Sequence, residues 1–236
     1  MTEIRGRFRE KITRVPGVAS FRFSLPQRVD FLPGQFLQVI FDQAVRGNKE
    51  LNKYLSISSS PQKEYLEVTK RLSDSAFSRS LDQLQSGEEV LLKLPMGECV
   101  FKDDYKSVTF LIGGIGITPV ISIIEYIADN NLATEVNLFY SNRTEKDIAF
   151  RGELDRWRQE HRNINIFYTV TDCQPQDSAC GYGFIDEPML KEKVCDLSDK
   201  IVYIFGPPKM VDAMYRIALG LACKKENLKI ERFIGY

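Results

Sequence analysis

The hydrophobic and polar positions follow different periods in the two halves of the chain. Within the first hundred residues, apolar and polar residues alternate with period two, as in strands that bury one face. These runs cover residues 20–25, 36–41, 65–69 and 90–94, and turns containing glycine or proline separate them. One helix is predicted over residues 76–85, whose apolar residues share a helical face. Short strands at this spacing predict a small antiparallel β-barrel.

Beyond residue 102 the pattern changes to strands that alternate with helices. Residues 108–112 form a continuous apolar run, as expected of a strand that is buried on both faces. Further strands are predicted over residues 136–140, 164–170, 201–205 and 228–233, and helices over residues 118–129, 147–160, 187–193 and 208–224. This alternation predicts an α/β domain with a parallel five-stranded sheet. Because residues 102–107 are polar, we expect two domains, at residues 1–102 and 103–236.

The composition is that of a folded protein without a charge bias. Of the 236 residues, 43% are hydrophobic and 27% are charged, which argues against global disorder. Lysine and arginine total 32, as do aspartate and glutamate, so no global basic field points to nucleic acid. The first residues are charged, and no apolar stretch approaches the ~18 residues that span a bilayer. We therefore expect a cytoplasmic protein that neither binds nucleic acid nor inserts into membranes.

Cysteine and histidine usage argues against a metal site. The five cysteines form no C-x-x-C pair and lack the plant-type iron–sulfur spacing, and His161 is the only histidine. We expect reduced thiols and no bound metal.

Two glycine-containing turns each follow a predicted strand of the second half and precede a helix. The first spans residues 113–119 with sequence GGIGITP, and the second spans residues 205–211 with sequence FGPPKMV. Glycines at such turns let backbone N–H groups approach a phosphate, and the helix N-terminus adds partial positive charge. In open α/β sheets, ligands bind beyond the carboxyl ends of the strands. On their residues alone, these turns fit either a dinucleotide site or ordinary tight turns.

A third segment lies in the barrel half, at residues 52–61 with sequence NKYLSISSSP. Lys53 can neutralise a phosphate, and either Tyr54 or Leu55 can pack on a flat ring. Ser56 can form a hydrogen bond with a ring nitrogen. Taken by itself, the segment is more typical of an edge strand with a serine-rich turn.

In order and spacing, these segments resemble those of the ferredoxin–NADP reductase superfamily along essentially the whole chain. The matching segments are residues 33–36, 53–56, 70–71, 75–81, 113–119, 206–210 and 231–233. The resemblance implies FAD, or alternatively FMN, as the bound flavin, and NADPH or NADH as the electron donor. It further implies hydride transfer from the nicotinamide C4 to the flavin N5. Electrons would then pass to a separate acceptor such as a ferredoxin, an oxygenase component, a cytochrome or free flavin.

The resemblance also implies roles for individual residues. The implied catalytic residues are Ser56, which would face the flavin N5, and Glu231, which would lie near the flavin–nicotinamide junction. The implied flavin contacts are Lys53, Tyr54, Leu55, Ser56, Lys70, Ser75, Ser78 and Tyr236. The implied contacts of the nicotinamide cofactor are Gly113, Gly114, Gly116, Thr118, Gly206 and Pro207. For Tyr236, an ordinary frayed C-terminus is an equal alternative.

Several residues depart from the family pattern. Lys53 replaces the arginine and Leu55 the tyrosine of an R-x-Y-[S/T] signature, and lysine lacks the bidentate geometry of arginine. Phe205 stands where many relatives carry cysteine, and Ser75 where many carry glycine. The first three departures motivate an alternative, a non-catalytic redox or regulatory subunit that binds flavin or nucleotide.

Donor preference depends on the end of the second strand of the α/β half, at residues 140–143. An acid there would bind the ribose 2′-OH of NADH, whereas arginine accommodates the 2′-phosphate of NADPH. Ser141 and Arg143 are present without an acid and are further candidate cofactor contacts, while Asp172 follows the tip of the next strand. These residues favour NADPH as a hypothesis, although residues 142–148 resemble the NADH-using nitrate reductase branch.

Overall fold

The computed structural model describes residues 1–233, which fold into two compact units. The first comprises residues 1–101 together with residues 118–129, and the second comprises residues 102–117 together with residues 130–233. Within residues 1–233, no helix combines the length and apolar character that crossing a membrane requires. The same part of the chain contains no group of three or more histidine, cysteine or acidic side chains that could hold a metal ion.

The first unit is built on six antiparallel strands. They are β1 (Thr2–Val15), β2 (Val18–Ser24), β3 (Phe36–Ile40), β4 (Asn52–Ser56), β5 (Leu66–Arg71) and β6 (Glu89–Met96). The strand order is β4-β3-β6-β1-β2-β5, and a bridge between Ile57 and Val68 joins the end of β4 to β5. Because the sheet closes on itself, the predicted antiparallel β-barrel is confirmed.

Inward-facing side chains fill the barrel. Phe21, Phe23 and Leu92 are completely buried in this core. Helices α1 (Ala76–Asp82) and α2 (Thr118–Asp129) belong to the same unit, and α1 buries Phe77 and Leu81 against the core. The sequence predicted no strand at β1, because most of its side chains are exposed and many of them are charged.

The second unit is an α/β domain with a six-stranded parallel sheet. Its strands are β7 (Ser107–Gly113), β8 (Glu135–Asn142), β9 (Ile164–Val170), β10 (Cys180–Tyr182), β11 (Ile201–Gly206) and β12 (Leu228–Arg232). Their order is β10-β9-β8-β7-β11-β12. The α/β fold is confirmed, but the predicted count of five strands was wrong. The extra strand, β10, has only three residues and shows no apolar period.

The helices of this unit are α3 (Arg151–Glu160), α4 (Glu187–Val194) and α5 (Pro208–Gly220). Helix α3 starts later than the predicted residue 147, because residues Glu145–Asp147 form a separate 3-10 turn. Phe150 then adopts a left-handed φ of 61°, which interrupts helical geometry just before α3. Helix α5 ends before the predicted residue 224.

The order of the strands reverses at β7. From β7 the chain proceeds through β8 and β9 on one side, and later returns to β11 on the other side. Open α/β sheets bind ligands at such a switch point, beyond the carboxyl ends of the strands. Both predicted glycine turns lie there, since residues 114–117 follow β7 and residues 207–210 follow β11.

Candidate functional site

The turn after β7 is in backbone contact with the end of β11. Residues Gly114–Ile117 form a 3-10 turn, and the left-handed φ of 52° at Gly114 favours glycine. A Cβ atom built on Gly116 would lie 2.6 Å from the Phe205 carbonyl oxygen and 3.0 Å from the Gly206 nitrogen. Because these neighbours are backbone atoms, they cannot rotate away from an added side chain. The two turns therefore form one glycine-lined surface at the switch point.

The turn after β11 completes this surface. A Cβ atom built on Gly113 would lie 2.3 Å from Met210 Sδ and 3.1 Å from Pro207 Cδ. One built on Gly206 would lie 3.2 Å from the Gly113 nitrogen. The five predicted contacts in the two turns thus lie together. Thr118, the remaining predicted residue of the first turn, begins α2, which belongs to the first unit, and its side chain is buried.

Glu231 lies at the same edge of the sheet. It pairs in register with Phe205 and is partly buried near the end of β12. Phe205 itself is completely buried and packs edge-on against Tyr203 and Phe233, with ring centroids 5.7 and 6.5 Å apart. The residue that replaces the usual cysteine therefore contributes to an aromatic core. Tyr236, the predicted aromatic cover of the flavin, lies outside the described residues.

Two lysines of the barrel unit lie close enough to repel each other. Lys53 lies on β4 and Lys70 on β5. Burial lowers the pKa of Lys70, and the positive charge of Lys53 lowers it further. Neither ammonium group has an ion-pair partner within residues 1–233. A bound anion would relieve the repulsion between these two partly buried cations, and a flavin phosphate is such an anion.

A cluster of three hydroxyl groups lies close to Lys70 in sequence, at the start of α1. The Ser73, Ser75 and Ser78 oxygens are 3.1 to 3.2 Å apart, and Ser75 accepts a hydrogen bond from the Ser78 N–H. Ser75 has a φ of −68°, so this position does not require the glycine of many relatives. Ser73 is not among the flavin contacts predicted from the sequence. The serine-rich run between β5 and α1 was the signal for it.

The predicted flavin contacts on β4 lie on two opposite faces of the strand. Because successive side chains of a strand alternate, Lys53 and Leu55 lie opposite Tyr54. Tyr54 is 61% exposed and packs edge-on against Phe36, so it does not join Lys53 and Leu55. Ser56 is buried at the end of β4, and its hydroxyl has no hydrogen-bonding partner within residues 1–233. That hydroxyl is available to a ligand.

An acidic residue that follows β9 lies beside the end of β8, a position that the sequence alone did not predict. Ser141 pairs in register with Gly113 and Thr169. Asp172, which follows β9, donates its N–H to the Arg143 carbonyl oxygen over 2.9 Å. Its carboxylate lies 3.3 Å from Arg143 Nε. The structure thus adds an acid to Ser141 and Arg143, through the pairing of two strands.

Two family models match the chain. Residues 6–101 match the oxidoreductase FAD-binding domain, and residues 110–216 match the oxidoreductase NAD-binding domain. The predicted use of FAD and a nicotinamide dinucleotide is confirmed by these matches. The lysine pair and the glycine-lined surface fit these groups, since both accommodate phosphates.

The chain is also similar to individual known proteins over most of its length. The chain is 32% identical to NADH-cytochrome b5 reductase 1 of Dictyostelium discoideum, over 82% of this chain and 69% of that protein. It is 32% identical to NADH-cytochrome b5 reductase 1 of Scheffersomyces stipitis, over 90% of this chain and 77% of that protein. Its fold matches a ferredoxin NADP⁺ reductase from Neisseria gonorrhoeae with bound FAD and NADP, at a TM-score of 0.81 and 20% identity, over 98% of this chain and 99% of that one. The chain therefore belongs to the ferredoxin–NADP reductase superfamily and is an NAD(P)H-dependent flavoprotein reductase.

Proposed function

We propose that the protein passes electrons from NADH through FAD to a separate haem protein of the cytochrome b5 type. The observation that carries the proposal is the glycine-lined surface where Gly116 meets Phe205 and Gly206. Close packing of this kind, where a strand turns into a helix, is typical of a dinucleotide site, in which backbone N–H groups at the helix start face the phosphate. The choice of acceptor rests on the two 32% identical relatives, both of which are NADH-cytochrome b5 reductases.

The barrel unit supplies the proposed flavin contacts. Lys53 and Lys70 would neutralise the flavin phosphate, and the hydroxyl cluster at the start of α1 would donate hydrogen bonds to its oxygens. Leu55 would cover part of the flavin ring with an apolar surface, and the Ser56 hydroxyl would face N5. When bound, the flavin supplies the hydride acceptance and one-electron release that protein side chains lack.

The proposed nucleotide contacts begin at the two glycine turns. Backbone N–H groups there would bind the pyrophosphate. The absence of side chains at Gly113 and Gly116 lets the two turns pack together, and at Gly114 a Cβ atom would meet nothing within 4 Å, so space for a ligand lies beside this residue. Glu231 would accept a hydrogen bond from the nicotinamide amide and so orient its ring. Thr118 would contact the same ring from the start of α2.

We infer NADH, and not the NADPH of the sequence-based hypothesis, from the pairing of Arg143 with Asp172. The carboxylate already compensates the charge of the arginine, which lies 3.3 Å away. It can also accept a hydrogen bond from the ribose 2′-OH of NADH. The 2′-phosphate of NADPH would instead meet a negative charge, which disfavours its binding.

Anaerobic addition of NADH to the purified protein tests the reductase function. We expect the visible absorption bands of bound flavin and their bleaching by NADH. Cytochrome b5 and a ferredoxin are then supplied separately to the reduced protein, and we expect faster reoxidation by cytochrome b5. A colourless protein that takes up no FAD, or bands that neither dinucleotide bleaches, would contradict the reductase function. Faster reoxidation by ferredoxin would contradict only the acceptor.

A further inference from the structure

Helix α2 carries one polar stripe on an otherwise mostly apolar surface. Thr118, Ser122, Glu125 and Asp129 follow an i, i+4, i+7, i+11 spacing, which places them on one face of the helix. Most of the other side chains are buried and apolar. Polar groups in such surroundings need hydrogen-bonding partners. Two of the stripe's partners lie in residues 58–60, which we call the serine segment.

Two hydrogen bonds join α2 to the backbone of the serine segment. The Ser122 hydroxyl donates to the Ser59 carbonyl oxygen over 2.8 Å. The Ser60 N–H donates to Glu125 Oε2 over 2.7 Å. Because the partner atoms belong to the backbone, these bonds fix the path of the chain. All of these residues belong to the first unit.

Glu125 is itself held by a second contact. Lys63 Nζ lies 3.3 Å from Glu125 Oε1 and 3.0 Å from Asp129 Oδ1. The Glu125 side chain is only 14% exposed. Burial raises the pKa of Glu125, and the Ser60 N–H and Lys63 partly offset this effect. One carboxylate oxygen therefore accepts a hydrogen bond from the backbone, and the other forms an ion pair with the lysine.

The opposite side of the serine segment is bound to β5. The Ser58 N–H donates to the Glu67 carbonyl oxygen over 2.8 Å, and the Glu67 N–H donates to Ser59 Oγ over 3.0 Å. The buried Glu67 carboxylate accepts hydrogen bonds from Ser58, Arg14 and Arg22. The segment is thus held between β5 and α2, immediately after β4 ends at Ser56.

We propose that Glu125 is a positioning residue for hydride transfer, acting through the Ser60 N–H to hold Ser56 and Thr118 at a fixed mutual distance. Thr118 begins the helical face that carries Glu125, and Ser56 lies four residues before Ser60, so this contact links the two segments that carry them. The inference rests on the proposed function, in which Ser56 faces the flavin and Thr118 the nicotinamide. A misplacement of ~1 Å can cost ~100-fold in rate.

The test measures the limiting rate of flavin reduction by NADH in the anaerobic holoenzyme and three variants. Glu125→Ala removes the acceptor of the Ser60 N–H, and we expect a loss of about 10- to 100-fold. Flavin content and the NADH dissociation constant should not change. Glu125→Gln keeps a carbonyl oxygen as acceptor and should restore a rate within about threefold of wild type. Asp129→Ala, the matched control, removes only the other partner of Lys63 and should react at the wild-type rate.

A wild-type rate in Glu125→Ala would overturn the proposal. So would equal losses in Glu125→Ala and Asp129→Ala, which would assign the effect to Lys63, or an equal loss in Glu125→Gln. If Glu125→Ala fails to retain flavin, Glu125→Asp replaces it, because the shorter side chain withdraws the carboxylate from the Ser60 N–H. The expected loss is then about threefold to tenfold, and an unchanged rate would be the contradicting result. A wild-type holoenzyme that NADH does not bleach would contradict the proposed function itself.

Discussion

In the proposed function, the barrel unit and the α/β unit bind phosphate in two physically different ways. In the barrel unit, the attraction comes from the side-chain charges of Lys53 and Lys70. In the α/β unit, it would come from backbone N–H groups of the two glycine turns, which pack together where Gly116 meets β11. The attraction between charges acts over several ångströms, and it weakens as the salt concentration rises or as pH neutralises the lysines. A glycine contact responds to added volume alone, so substitutions should separate the two sites.

The largest expected effect comes from Gly116→Ala. The added methyl group would lie 2.6 Å from the Phe205 carbonyl oxygen, and the two turns would have to separate. We expect the rate of flavin reduction by NADH to fall by ~100-fold or more, with flavin content unchanged. Stopped-flow absorbance of the anaerobic protein measures the rate.

Gly152→Ala is the matched control for this glycine, because a Cβ atom there meets nothing within 4 Å. It should reduce its flavin at the wild-type rate. Equal rates in Gly116→Ala and wild type would show that the glycine-lined surface does not bind the nucleotide.

Lys70→Met should affect the other site. Loss of one charged hydrogen bond to phosphate costs about 1.5–3 kcal/mol, so the flavin dissociation constant should rise about 10- to 100-fold. Lys106→Met, at an exposed position, is the control. Fluorescence titration of the apoprotein with FAD measures the constant. An unchanged affinity in Lys70→Met would show that the lysine pair does not bind the flavin.

Asp172→Ala should change donor preference by about tenfold, equivalent to ~1.4 kcal/mol. The substitution removes the proposed acceptor of the NADH 2′-OH and releases Arg143 for the 2′-phosphate of NADPH. The ratio of kcat/KM for NADH to that for NADPH measures the effect. A ratio that stays constant would show that the acid does not select the donor.

A smaller effect should appear in the pH dependence of flavin binding. The pKa of Lys70 is lowered from its ordinary 10.5, and only the protonated lysine attracts phosphate. Flavin affinity should therefore be complete well below the lowered pKa and decrease as pH rises through it. Lys70→Met should flatten this dependence in titrations from neutral to alkaline pH. A decrease of equal size in that variant would assign the pH effect to another group.

Local sequence was sufficient where a residue's role depends on its immediate neighbours. The glycine turns after β7 and β11 were predicted because turn residues directly follow buried apolar runs. The period-two runs predicted the barrel because the alternation of apolar and polar residues within each run identifies a strand.

The remaining features depend on contacts between residues that are distant in sequence. Asp172 reaches Arg143 only because β9 pairs with β8. Helix α2 belongs to the first unit through contacts such as Ser122 with Ser59, which no local pattern encodes. β10 has too few residues to show a period.

The most direct test of two separate phosphate sites compares Gly116→Ala, Lys70→Met and the double variant in FAD affinity and in the NADH reduction rate of FAD-saturated protein. We expect Gly116→Ala to lower the rate of flavin reduction without changing FAD affinity. We expect Lys70→Met to lower FAD affinity, with a much smaller effect on the rate. The double variant should then show both losses independently. Loss of the same property in both single variants would contradict the account.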